Sequence, residues 1–312
     1  MNNVETPSSE MIDKEAIAET HKSTFTADFK ALVKTGIVNS NLITTFTGFW
    51  LALQLTNSSL LTEWTVFLLT MAGTALVIAG GTILNNWYDS DIDTVMARTK
   101  NRPTVTGNIS LNTAFGLGMG ATLAGLILLL FTTAQAAFFA FVGWFVYVVL
   151  YTMWSKRKYT LNTIIGSFSG AMPPLIGWAA IEPSFHMVPA MLFLIMFIWQ
   201  TPHFLALAMK KKNDYEAAGI PMLPVVHGFA FTKRQIVVYI ACLLPLPFLL
   251  TSLGTTFITI ATLLNIGWLA FGLSGFFMKD DLKWAKMIFI YSLNYLTILF
   301  LMMVVVTLPI FN

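Results

Sequence analysis

The chain has 312 residues, of which 56% are hydrophobic and only 11% charged, with a mean hydropathy of +0.72. Soluble globular proteins carry about 25% charged residues, so the composition excludes a soluble domain and a nucleic-acid-binding module, and predicts a polytopic all-α membrane protein. The single cysteine, Cys242, excludes an intrachain disulfide and a cysteine-rich metal site, and the net charge of +3 matters less than where the charges lie.

Residues 1–33 are polar and mixed in charge, without the apolar stretch of a signal peptide. They are expected to form a cytoplasmic tail, disordered or folded as a surface helix, ahead of one transmembrane domain over 34–312. A bilayer span needs about 20 mostly apolar residues. Nine candidates follow in order, near 34–55, 64–84, 112–132, 134–152, 162–181, 187–209, 235–253, 255–277 and 287–309. The short connections at Thr132–Gln135 and Thr251–Gly254 predict tight helical hairpins. All 18 Lys and Arg residues fall before span one or in the connections after spans two, four, six and eight. The positive-inside rule then puts the N-terminus and those connections in the cytoplasm, and nine spans put the C-terminus outside.

Chemistry concentrates where span two ends, at Asn85-Asn86-Trp87-Tyr88-Asp89-Ser90-Asp91-Ile92-Asp93, followed by Arg98-Thr99-Lys100-Asn101-Arg102-Pro103. On a helix Asn85, Asp89 and Asp93 stand at i, i+4 and i+8 and share one face, with Asn86 at its border and Asp91 pointing elsewhere. Oxygen ligands on one stripe suit Mg²⁺, which binds through one or two carboxylates, water and substrate phosphates. Guanidinium groups just beyond suit phosphate oxygens. The plainer alternative is a solvated polar helix end. Because an Asp at the centre of a membrane helix costs about 2.5–3.5 kcal/mol, the motif belongs at the cytoplasmic mouth.

Three further clusters stand out. Lys210-Lys211-Lys212-Asn213-Asp214 ends span six with basic groups and a carboxylate; it could face the first site as a second clamp, or be a stop-transfer lysine cluster. Tyr151-Thr152-Met153-Trp154-Ser155-Lys156-Arg157 ends span four, where Lys156 and Arg157 either neutralise diphosphate or act as ordinary inner-side anchors. His203, in Trp199-Gln200-Thr201-Pro202-His203-Phe204, lies inside span six; an intramembrane imidazole could ligate haem iron, donate a hydrogen bond or pair with a neighbouring helix.

The pattern Asn85-Asn86-x-x-Asp89-x-x-x-Asp93 resembles the first aspartate-rich motif of the intramembrane UbiA-type prenyltransferases, with Asn86 where relatives often carry Asp. Met96-Ala97-Arg98-Thr99-x-x-Arg102-Pro103, Pro173-Pro174-Leu175-Ile176-Gly177-Trp178, Trp199–Phe204 and Asp214–Pro224 narrow the resemblance to the branch that farnesylates protohaem IX. That resemblance implies a nine-helix bundle in the bacterial inner membrane. It also implies haem B, farnesyl diphosphate and water as substrates, haem O and diphosphate as products, Mg²⁺ dependence, and the haem A-forming enzyme as a candidate partner. It assigns Asn86, Asp89 and Asp93 to Mg²⁺–diphosphate with Arg98 and Arg102 nearby, sets Lys156 at the basic position after the tyrosine, and turns His203 toward haem; the clusters read above add Asn85, Arg157, Lys211 and Asp214 as residues expected around the substrate. The Tyr151–Lys156 gap is one residue longer than in many relatives, and the second site has one Asp where relatives have two. Trp87, Tyr151 and Trp154 are candidates to stabilise an allylic cation through their ring faces. Prenyl transfer to an aromatic quinone precursor and transport are the competing readings; transporters place polar sites near the midplane, whereas these acids lie beside basic loops.

Overall fold

A computed structural model describes residues 24–308 of the chain. Among these residues there is no strand. The main helices are α1 (Phe25–Val33), α2 (Thr35–Leu55), α3 (Trp64–Tyr88), α4 (Leu111–Leu130), α5 (Ala134–Phe145), α6 (Asn162–Gly170), α7 (Pro173–Ala179), α8 (Met187–Lys210), α9 (Lys212–Ala217), α10 (Gly228–Cys242), α11 (Gly254–Ser274) and α12 (Asp281–Val305). A π-helix, Val146–Ser155, continues α5, and single turns at Ser90–Asp93, Pro103–Thr106 and Leu223–Val226 shape the loops.

The nine expected segments are helical, but they are not nine uninterrupted spans. Among the described residues, seven helices are long and apolar enough to cross a membrane. α2 has the length but is diluted by Thr, Asn and Ser. The fifth segment breaks at Ala171-Met172 into α6 and α7, because Pro173 and Pro174 lack the N–H groups that would continue α6. Phe25–Val33, placed in the tail by sequence, is a helix with Leu32 and Val33 buried; residues 1–23 lie outside the described residues.

Two apolar cores hold the bundle. One gathers Trp199 of α8, Phe257 and Trp268 of α11, and Trp284 and Tyr295 of α12. The other joins Phe49, Val77, Leu129, Ala136 and Ile176 from α2, α3, α4, α5 and α7. Leu123, Ile127 and Leu130 form an exposed apolar stripe on α4, the face a hydrocarbon solvent requires. Helix α3, which carries the aspartate motif, is held by close backbone approaches. A Cβ on Gly80 would stand 2.6 Å from the Gly118 carbonyl of α4, and one on Gly177 of α7 only 1.9 Å from the Thr45 carbonyl of α2. Small residues at such crossings are how membrane helices pack without a hydrophobic driving force.

Candidate active site

The last turn of α3 brings Asn85 and Asn86 into the bundle, and backbone hydrogen bonds from Asp89 N to Asn85 O (3.0 Å) and from Asp93 N to Asp89 O (2.9 Å) carry the helical register past Tyr88. Asn86, Asp89 and Asp93 are fully buried and Asn85 nearly so. The solvated-helix-end alternative is thereby removed. Each acid has a cation from another segment: Lys156 pairs with Asp89 Oδ2, and Arg102 with Asp93 Oδ2. Arg157 stands 3.6 Å from Asp89 Oδ1, binds Asp91 with both guanidinium nitrogens at 2.7 Å, and lies over the Tyr88 ring. The Arg157 guanidinium holds the Asp91 carboxyl below the usual carboxylate range. Breaking a buried pair such as Lys156–Asp89 costs about 3–5 kcal/mol, because one charge is left alone.

One oxygen on each expected ligand has no hydrogen bond: Asn86 Oδ1, Asp89 Oδ1 and Asp93 Oδ1. A buried unsatisfied polar atom costs about 1–3 kcal/mol, so three on one motif call for a ligand that folding does not supply. Among the described residues no three His, Cys, Asp or Glu side chains converge as a metal cage.

Second-rank contacts fix these oxygens. Asn85 Nδ2 donates to Asp89 Oδ2 at 2.7 Å and to Thr152 Oγ1 at 3.1 Å, while its Oδ1 accepts from Lys34 Nζ. Asn85 is therefore engaged on every side and orients Asp89. Asn86 Nδ2 donates to the Leu32 carbonyl at 2.9 Å, turning its Oδ1 free. The π-helix explains the long Tyr151–Lys156 gap. Its i→i+5 bonds, such as Lys156 N to Tyr151 O at 2.9 Å, absorb one extra residue and still aim Lys156 at Asp89.

Not every sequence candidate joins this cluster. Arg98 lies over the Tyr215 ring, 5.0 Å from its centroid, linking the two loops rather than an Asp. Asp214 pairs loosely with Lys211 at 3.8 Å, and Lys210 sits over Phe289. His203 is buried between Trp199 and Phe289, with ring centroids 4.8 and 4.7 Å away, and its Nδ1 is 2.7 Å from Ser292 Oγ. Trp154 is exposed against Tyr159 and Trp87 packs on Phe115, whereas Tyr151 stacks on Tyr147. Sequence reasoning passed over Lys34, counted as an inner-side anchor, and Thr152, hidden in an apolar run; a polar residue one place after Tyr151 on the helix carrying Lys156 was the available signal.

The family profile of the UbiA prenyltransferase family matches residues 41–293. The chain belongs to the UbiA prenyltransferase family. It is 66% identical to a protoheme IX farnesyltransferase from Oceanobacillus iheyensis, over 100% of both chains. Two UbiA-type folds are similar in structure. The structure described as giving insight into the biosynthesis of digeranylgeranylglyceryl phosphate synthase in membranes matches with a TM-score of 0.70 at 21% identity, covering 90% of this chain and 97% of that one. A UbiA homologue from Archaeoglobus fulgidus bound to DMAPP and Mg²⁺ matches with a TM-score of 0.64 at 14% identity, covering 87% and 99%. This UbiA chain is an all-α integral membrane prenyltransferase.

Proposed function

We propose that this chain transfers the farnesyl group of farnesyl diphosphate to a vinyl group of haem B with addition of water, giving haem O and diphosphate. The observation that carries the diphosphate half is the set of three buried oxygens without a hydrogen bond on Asn86, Asp89 and Asp93, ringed by Lys156, Arg102 and Arg157. Full-length similarity to a protoheme IX farnesyltransferase supports the acceptor. It favours haem over a quinone precursor.

Asn86, Asp89 and Asp93 would hold Mg²⁺ through those oxygens. When bound, the ion is a Lewis acid that stabilises negative charge on the departing diphosphate. Lys156 and Arg102, fixed beside the carboxylates, add preorganised positive charge in a site shielded from water. Asn85 keeps Asp89 oriented. As the farnesyl C1–O bond breaks, C1 gains allylic cation character, and the vinyl π electrons form the new C–C bond. Water adds to the resulting cation and loses a proton, which leaves a hydroxyl. On the acceptor side, Ser292 occupies His203 Nδ1, so Nε2 is the nitrogen offered to haem. The basic connections put the N-terminus in the cytoplasm and the C-terminus outside, with the site opening inward and haem O passing to a haem A-forming enzyme.

The test is incubation of the purified chain in detergent with haem B, farnesyl diphosphate and Mg²⁺, followed by mass analysis of extracted pigment. A haem heavier by one farnesyl group plus the hydroxyl from water is expected. Unchanged haem B alongside prenylation of an added aromatic quinone precursor would replace haem as the acceptor.

A further inference from the structure

Lys34 sits between α1 and α2 in the left-handed conformation, φ 54° and ψ 57°, a region non-glycine residues rarely adopt. α1 is anchored around it. The Val33 carbonyl accepts from Thr82 Oγ1 at 2.7 Å, the Leu32 carbonyl accepts from Asn86, and Asp28 Oδ2 accepts from Asn108 Nδ2 at 2.9 Å. The break thus swings the Lys34 ammonium inward onto Asn85 Oδ1.

Every other described Lys or Arg is either solvent-exposed or within salt-bridge distance of a carboxylate: Lys156, Arg102 and Arg157 of the site, and Lys211, Lys212 and Lys233 elsewhere. Lys34 is not exposed, and its ammonium donates to a neutral amide oxygen. An ammonium has three donors, and one is used. A lysine with spare donors, turned inward by a left-handed backbone beside the aspartate motif, is placed to meet an anion.

We infer that Lys34 is a further substrate-binding residue, whose ammonium takes a phosphoryl oxygen of the prenyl diphosphate, so that α1 completes the site. This rests on the diphosphate reading above. The same chemistry would suit a haem propionate; the Asn85 amide that accepts from Lys34 also donates to Asp89 Oδ2, which sets Lys34 beside the diphosphate residues and favours phosphate.

Calorimetric binding of inorganic pyrophosphate with Mg²⁺ to the full chain in detergent tests it, using wild type, Lys34→Met, Lys34→Arg and the exposed control Lys30→Met. A charge-assisted hydrogen bond predicts a Kd raised about 10- to 100-fold in Lys34→Met. Lys34→Arg should restore most of the affinity and the wild-type melting temperature, and Lys30→Met should match wild type. In turnover, KM for farnesyl diphosphate should rise more than kcat falls. Unchanged pyrophosphate affinity in Lys34→Met overturns the inference, and with a raised KM for haem it moves Lys34 to the acceptor carboxylate. A weakened Lys34→Met that Lys34→Arg does not rescue, together with a lowered melting temperature, also overturns it in favour of a purely structural role. Failure of the wild type itself to bind pyrophosphate would instead strike the diphosphate reading.

Discussion

The two acidic, basic loops of this chain contain the same residue types and have opposite fates. After α3, Asp89 and Asp93 are fully buried, and Asp89 meets a lysine 67 residues away, with Asn85 in turn meeting Lys34 51 residues away. After α8, Lys211 with Asp214 and Lys212 with Glu216 pair locally, at i,i+3 and i,i+4, across 3.8 and 3.7 Å of largely solvated space. Exposed pairs of that kind contribute about 0–1 kcal/mol, and they have no buried oxygen left over. What separates a site from a charged loop is therefore not composition. It is whether the fold brings cations from other helices onto the acids while leaving ligand oxygens open.

That contrast is broken most severely at Asp89 and Asp93. Asp89→Asn or Asp93→Asn should lower kcat/KM by about 10²- to 10³-fold or more, the scale of losing one preorganised electrostatic group, while the protein still inserts and elutes as wild type in detergent. Steady-state turnover at saturating Mg²⁺ checks this, and near-normal rates would remove the motif from the chemistry. Lys156→Met comes next. It leaves Asp89 buried without its lysine, so about 3–5 kcal/mol of stability should be lost along with at least about tenfold in turnover; thermal melting and rate are measured on the same sample.

The first loop was legible because a helical stripe of oxygen residues in an otherwise charge-poor chain has a short list of uses, and periodicity alone put Asn85, Asp89 and Asp93 on one face. The helical segments were legible from hydropathy, yet the Pro173-Pro174 break and the dilution of α2 by Thr and Asn leave seven single helices, among the described residues, long and apolar enough to cross a membrane. Lys34 was not legible, since its use depends on a left-handed turn that only α1 docking on Asn86 and Thr82 dictates. The π-helix was visible only as an oddly long gap. For Asp214 the sequence pattern was equivocal, because burial, the deciding quantity, is a tertiary property.

Smaller effects sharpen the comparison from the other side. Asp214→Asn and Lys211→Met should each change kcat/KM by less than about threefold and stability by under about 0.5 kcal/mol, as for ordinary surface changes. A large loss in either would make the second loop part of the site. The smallest effect is expected at Asp91, whose carboxyl is exposed but held down by Arg157. A depressed folded-state value means the pair's contribution is present above about pH 4, the unfolded carboxylate range, and is lost as pH falls through the lower value. Asp91→Asn should therefore lower the melting temperature slightly at pH 7 and converge with wild type in acid.

The central claim, that Asn86, Asp89 and Asp93 would hold a divalent ion that serves the diphosphate leaving group, is tested most directly by titrating farnesyl diphosphate into the solubilised chain with and without Mg²⁺. Tight binding that requires the ion in wild type and disappears in an Asp89→Asn, Asp93→Asn double variant is the predicted result. Equal binding without the ion, or undiminished ion-dependent binding by the double variant, would contradict it.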